Sequence, residues 1–94
     1  MNKIIAVICG NPREVRRAWY RYFTKFQKGA MLYKFAEKYI TVREGEYRFY
    51  TPDQIEMEGQ WFDEVIWYGT VSSHAKYRDV LDYVRLHTRK VGEF

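Results

Sequence analysis

Two rhythms of apolar and polar positions alternate along the chain. It opens with an apolar run, Ile4-Ile5-Ala6-Val7-Ile8-Cys9, that stops at Gly10. A short run rich in branched side chains and closed by glycine predicts a strand over 4–9 buried on both faces. The rhythm then turns helical, with Val15, Ala18, Trp19, Tyr22, Phe23 and Phe26 falling on one side. Asn11 is a good N-cap, Pro12 suits the first helical position, and Glu14 stands where a capping-box partner belongs. Gly29 offers a stop. These signals predict a helix over 12–28.

Residues 30–38 fit a helical turn and an extended segment equally, and the choice stays open. Beyond them, 39–43 and 46–50 alternate with period two around Glu44-Gly45, which predicts a hairpin. Thr51-Pro52-Asp53-Gln54 repeats the capping-box pattern and predicts a short helix that Gly59 ends. Trp61–Tyr68 reads as another apolar strand, stopped by Gly69. Ser72 or Ser73 can then cap a helix over 74–89, with Tyr77, Val80, Leu81, Val84 and Thr88 facing inward.

Helices alternating with apolar strands predict a single small α/β domain. Its sheet should have three to four mainly parallel strands with a hairpin edge, covered by the two main helices, 12–28 and 74–89. Strands 4–9 and 62–68 should lie side by side at its centre. Ninety-four residues allow one domain. Nine Tyr, six Phe and three Trp supply a large area to bury in so small a core.

Three stretches resemble a group of small phage-encoded α/β proteins. They are Ile-Cys-Gly-Asn-Pro-Arg (8–13), Tyr-Arg-Phe-Tyr-Thr-Pro-Asp-Gln-Ile (47–55) and Phe-Asp-Glu-Val-Ile-Trp-Tyr-Gly-Thr (62–70). The resemblance implies a degenerate nucleotide-binding topology of Rossmann or P-loop type and a phage or prophage origin. The lone cysteine and the short apolar N-terminal run make the cytoplasm the expected location, and the resemblance makes it that of a bacterial host. The resemblance carries no activity, so it assigns no catalytic residue.

Strand, glycine and capped helix together invite comparison with a phosphate-binding loop. Such a loop needs backbone N–H groups and a lysine around the phosphates. Gly10 is instead followed by Asn-Pro-Arg-Glu-Val-Arg-Arg, with no second glycine and no lysine. Pro12 removes one of the donors, which argues against ATP hydrolysis. Asp63-Glu64 precedes its strand's apolar stretch, at the wrong edge for a metal-binding pair. A weaker anion or ligand crevice can be drawn at the strand C-terminal edge from Gly10, Asn11, Gly69, Thr70, Ser72, Ser73 and His74, because helix N-termini favour anions. Helix capping accounts for the same Asn and Ser residues.

Charge is unevenly spread. The first helix carries Arg13, Arg16, Arg17, Arg21, Lys25 and Lys28 against Glu14 alone, in a chain of net charge +4. These cations lie opposite the apolar stripe, with Tyr20 among them. Residues 44–64 are acidic, and the last helix is basic again. A basic face with an aromatic suits nucleic-acid phosphates, and arginine suits bidentate contacts. An ordinary solvated face produces the same run.

Cys9 is the only cysteine, which rules out an intrachain disulfide, and His74 and His87 lack metal-ligand spacing. No cofactor, metal or membrane partner is expected, and homo-oligomerisation stays open. Ser72, Ser73 and His74 do not form a nucleophile-base pair merely by adjacency. The leading expectation is a non-enzymatic binding protein that meets nucleic acid, or a complex handling it, through Arg13, Arg16, Arg17, Tyr20 and Arg21. The alternatives are an inhibitor or adaptor directed at a host protein and a binder of a small anion or nucleotide at the strand edge.

Overall fold

A computed structural model describes residues 3–26, 29, 32–34, 38–55, 61–86 and 88–93. The apolar run forms β1 (Lys3–Cys9), and Pro12–Lys25 forms α1. Three strands follow: β2 (Leu32–Lys34), β3 (Tyr39–Val42) and β4 (Gly45–Tyr50). Then come β5 (Phe62–Tyr68), a 3-10 turn at Val71–Ser73, α2 (Tyr77–Leu86) and β6 (Thr88–Glu93). The strands build one sheet in the order β2-β3-β4-β1-β5-β6. Its four strands β4, β1, β5 and β6 are parallel, and β2 and β3 extend it antiparallel.

The expected mainly parallel α/β sheet is therefore present, with β1 and β5 paired at its centre from Ile5↔Glu64 to Cys9↔Tyr68. The β3–β4 hairpin lies to one side, turning at Arg43-Glu44. Two strands add to the expected set. β2 resolves part of the open 30–38 segment as extended chain. β6 takes residues that the helical reading had assigned to the last helix. Thr88 pairs with Phe62 at its start, so β6 completes an edge beside β5. It carries only Val91 as a strongly apolar residue, which hid it from the period-two pattern.

Both helices are shorter than their apolar patterns. α1 ends at Lys25, with Phe26 as C-cap donating its N–H to the Tyr22 carbonyl at 2.9 Å. Gly29 closes the turn that follows by donating to Phe26 O at 2.7 Å. α2 begins at Tyr77 rather than 74. His74 stands extended there, and its ring Nδ1 accepts the Lys76 N–H at 3.0 Å, a local bond that competes with helix formation. Ser72 and Ser73 consequently sit in the 3-10 turn and cap nothing. Pro52–Gln54 form a turn in which Gln54 accepts from Thr51 N, the reverse half of a capping box. The rest of the short helix ending at Gly59, the expected helical residues 27–28, and His87 lie outside the described residues.

Alternation along β1 divides the core into two layers. Val7 and Cys9 face α1, meeting Val15, Ala18, Trp19 and Tyr22 together with Ile40 and Phe49. Ala6 and Ile8 face the other way, toward Val65, Trp67, Val80 and Val84. The helices therefore cover opposite faces, as right-handed crossovers leaving a central pair in opposite directions do. Among the described residues, no helix is long and apolar enough to cross a membrane.

The hairpin joins β1 through a close approach at Gly45, which pairs with Lys3. A Cβ there would stand 2.4 Å from the Lys3 carbonyl oxygen. Backbone cannot swing aside as a flexible side chain can. Gly45→Ala should destabilise the fold by about 1–3 kcal/mol, the range for overpacking a tight site. Urea denaturation should show a lower midpoint with an unchanged slope.

Candidate functional site

The strand-end crevice is built from two chain reversals. β1 runs out at Gly10 toward α1 and the β2–β4 side of the sheet, while β5 runs out at Gly69 toward α2 and β6. Neighbouring parallel strands whose connections diverge leave a crevice between them, where open α/β sheets place ligands. Gly69 makes its turn with φ +67, in the left-handed region that glycine enters without strain. Any Cβ at that position would also collide with the Glu14 carboxylate, 2.5 Å away.

Glu14 occupies this crevice from within. It is 9% exposed, and its carboxylate accepts Gly10 N–H at 2.8 Å, Thr70 N–H at 3.0 Å and the Thr70 hydroxyl at 3.0 Å. The expected capping box is thus half formed. Asn11 Oδ1 accepts Glu14 N–H at 2.9 Å, but the glutamate reaches past the cap to the preceding residue and across to β5. A resident carboxylate uses the donors that an incoming phosphate would need. The structure brings Gly10, Asn11, Gly69 and Thr70 together around Glu14.

The other expected crevice residues point elsewhere. Ser72 and Ser73 are exposed in the 3-10 turn, so among the described residues only α1 brings an α-helix N-terminus to this edge. His74 Nε2 meets Asp53 Oδ2 at 3.1 Å while Nδ1 accepts Lys76 N–H. With both ring nitrogens engaged, no base is left for either serine. Lys76 Nζ lies 3.3 Å from Asp53 Oδ1. The Lys76 hydrogen bond, assisted by His74, holds the Asp53 carboxyl below its ordinary range.

The basic face is displayed outward as one stripe. Arg13, Arg16, Arg17, Tyr20, Arg21, Thr24 and Lys25 are all exposed on α1, opposite its buried side. Lys25 leans over the Tyr22 and Phe26 rings at 5.9 and 5.6 Å. The stripe and the crevice meet in a cleft of about 410 Å³ lined by Glu14, Arg17, Arg21, Tyr68 and Gly69. Tyr68 packs with Ile66 against the α1 layer of the core, and nothing in the sequence placed it beside two arginines.

Acidic residues of the sheet gather at the far edge. Glu46 pairs with Ile4 and Glu64 with Ile5, at the start of β1, whereas α1 begins beyond its end. Asp63 is absorbed structurally, accepting Ile4 N–H at 2.8 Å, and Glu46 forms a 2.8 Å ion pair with Arg48. Among the described residues, no group of three or more His, Cys, Asp or Glu could hold a metal ion.

An aromatic cluster borders the stripe. Trp19 is pinned by its indole N–H to the Tyr39 carbonyl at 3.1 Å and stacks on Phe23 at 5.1 Å and 12°. Tyr20 stands edge-on to Trp19 at 5.0 Å, and Tyr33 of β2 meets Phe23 at 4.5 Å. Tyr20 and Tyr33 are 47% and 50% exposed. Tyr33 belongs to the segment whose conformation the sequence left open, so its place in the cluster was not visible there.

No family model, curated protein or solved structure matches this chain.

Removing the Glu14 carboxylate should strand the Gly10 and Thr70 donors. Glu14→Ala is expected to lower stability by about 2–3 kcal/mol, as for lost hydrogen bonds to a charged group. It should also make thermal stability rise with added phosphate, whereas the wild-type midpoint stays put. Cys9 gives a pH signature. Burial, with the Glu14 charge adding to it, pushes its thiol up to about 12 from an ordinary value of 9.0. The folded chain keeps that proton where the unfolded chain releases it, so this contribution to stability falls as pH climbs from 9 toward 12. At neutral pH a thiol reagent should label Cys9 only at the rate of unfolding.

Proposed function

We propose that this chain is a non-enzymatic binding protein of the phage type, which engages nucleic acid or a complex handling it through the outer face of α1. The single observation behind the reading is the exposed stripe of Arg13, Arg16, Arg17 and Arg21 with Tyr20 set among them. Arginine forks hold phosphate oxygens bidentately and keep their charge at any physiological pH. Arg13, Arg17 and Arg21 repeat at intervals of four, about 6 Å per step along the helix axis. Neighbouring phosphates can be gripped along such a row. The charge layout supports this for the first turns of α1: Glu46 and Glu64 pair with the start of β1, while Glu64 bears on Tyr22 farther along the helix. Glu14, the acid on α1 itself, is buried and hydrogen-bonded.

A second reading is favoured by the cleft of Arg17, Arg21 and Tyr68. Two guanidinium groups beside an aromatic ring suit a small anion carrying a flat ring, such as a mononucleotide. A rise in melting temperature on adding a mononucleotide, lost in Tyr68→Leu, would carry that reading.

Salt tests the leading one. Affinity for DNA should fall by about 0.9 log unit per log unit of salt for each phosphate contact on a duplex. The exposed double substitution Arg16→Glu, Arg17→Glu should abolish binding and leave the circular dichroism spectrum unchanged. Failure to retain the protein on DNA or RNA at low salt overturns the proposal. Capture of one host protein in the presence of nuclease, with no such retention, favours an inhibitor or adaptor instead.

A further inference from the structure

The aromatic cluster beside the stripe indicates which form of nucleic acid the face takes. We infer that it holds single strands, with the exposed rings of Tyr20 and Tyr33 receiving unpaired bases while the arginines of α1 hold the backbone. The inference rests on the nucleic-acid reading above and narrows it to a substrate class.

Three observations carry it. First, Tyr20 and Tyr33 each leave about half of their surface in water. Second, the rings are held rather than loose. Trp19 is fixed by its bond to Tyr39, Phe23 is stacked on it, and Tyr20 and Tyr33 lean on these two from different elements. A stacking surface built in advance loses little side-chain freedom on binding. Third, Tyr20 lies within the cationic stripe itself, one turn after Arg16 and flanked by Arg21. Aromatic faces set along a positive track are what unpaired bases require, because every base has a face to stack and every nucleotide a phosphate to neutralise. A duplex keeps its bases stacked on each other and can use only the cations.

Charge complementarity also selects this occupant over an apolar peptide, because the patch is bordered by Arg13, Arg16, Arg17 and Arg21.

Fluorescence anisotropy with a labelled single strand of about 16 nucleotides, the upper site size of a small binding domain, tests the inference against a duplex of the same sequence. The wild-type chain should prefer the single strand by about tenfold or more at matched salt. Tyr20→Ala with Tyr33→Ala should weaken single-strand binding by about thirtyfold or more, the low end for two lost base stacks, and weaken duplex binding by much less. Tyr20→Phe with Tyr33→Phe keeps the ring faces and should bind as the wild type does, which separates stacking from loss of fold. Equal or tighter duplex binding, or single-strand binding that survives loss of both rings, overturns this inference alone. Absence of binding to either form overturns the nucleic-acid reading and this inference with it.

Discussion

Glu14 ties together three parts of the molecule that the chain separates widely. Its carboxylate receives the N–H groups at the ends of β1 and β5, while its own N–H is received by the cap of α1. The two central strands and the first helix are thereby joined at one buried charge. A buried carboxylate is tolerated only where donors replace water, and here two backbone N–H groups and a hydroxyl do so. The same contacts explain the turn at Gly69, because a side chain there would displace the carboxylate.

This internal anion shifts where chemistry can take place. The crevice that an α/β sheet offers to ligands is filled by the protein's own negative charge, and the N–H groups that would hold a phosphate are engaged. Positive charge lies one layer outward, on the exposed side of α1 and in the cleft where Arg17 and Arg21 meet Tyr68. The proposed binding surface is therefore the helix rather than the strand ends. The aromatic cluster against β2 gives that surface a second kind of contact beyond charge.

Where local chemistry dominates, the sequence was legible. The apolar run of β1, the Asn11-Pro12 start of α1, the β3–β4 hairpin and the outward side of the arginines all followed from spacing and capping. Misreadings arose where a tertiary contact outweighed a local pattern. His74 bonds Asp53 and its own downstream backbone, so α2 starts late. Residues 88–93 pair with β5, so α2 stops early and an almost apolar-free stretch becomes a strand. Glu14 was identifiable as a capping residue, but its reach to Thr70 spans 56 positions. No spacing rule covers that distance. Likewise Tyr33 and Tyr68 become site residues only through the packing of distant elements.

The central claim is that binding occurs on the outer face of α1 because the crevice is already filled. Amide chemical-shift mapping with a short single-stranded oligonucleotide tests this most directly. The account predicts perturbed amides over α1 from Arg13 to Lys25 and at Tyr33, with those of Gly10, Gly69 and Thr70 unmoved. Perturbations centred on Gly10, Gly69 and Thr70, with α1 unaffected beyond its first turn, would contradict it.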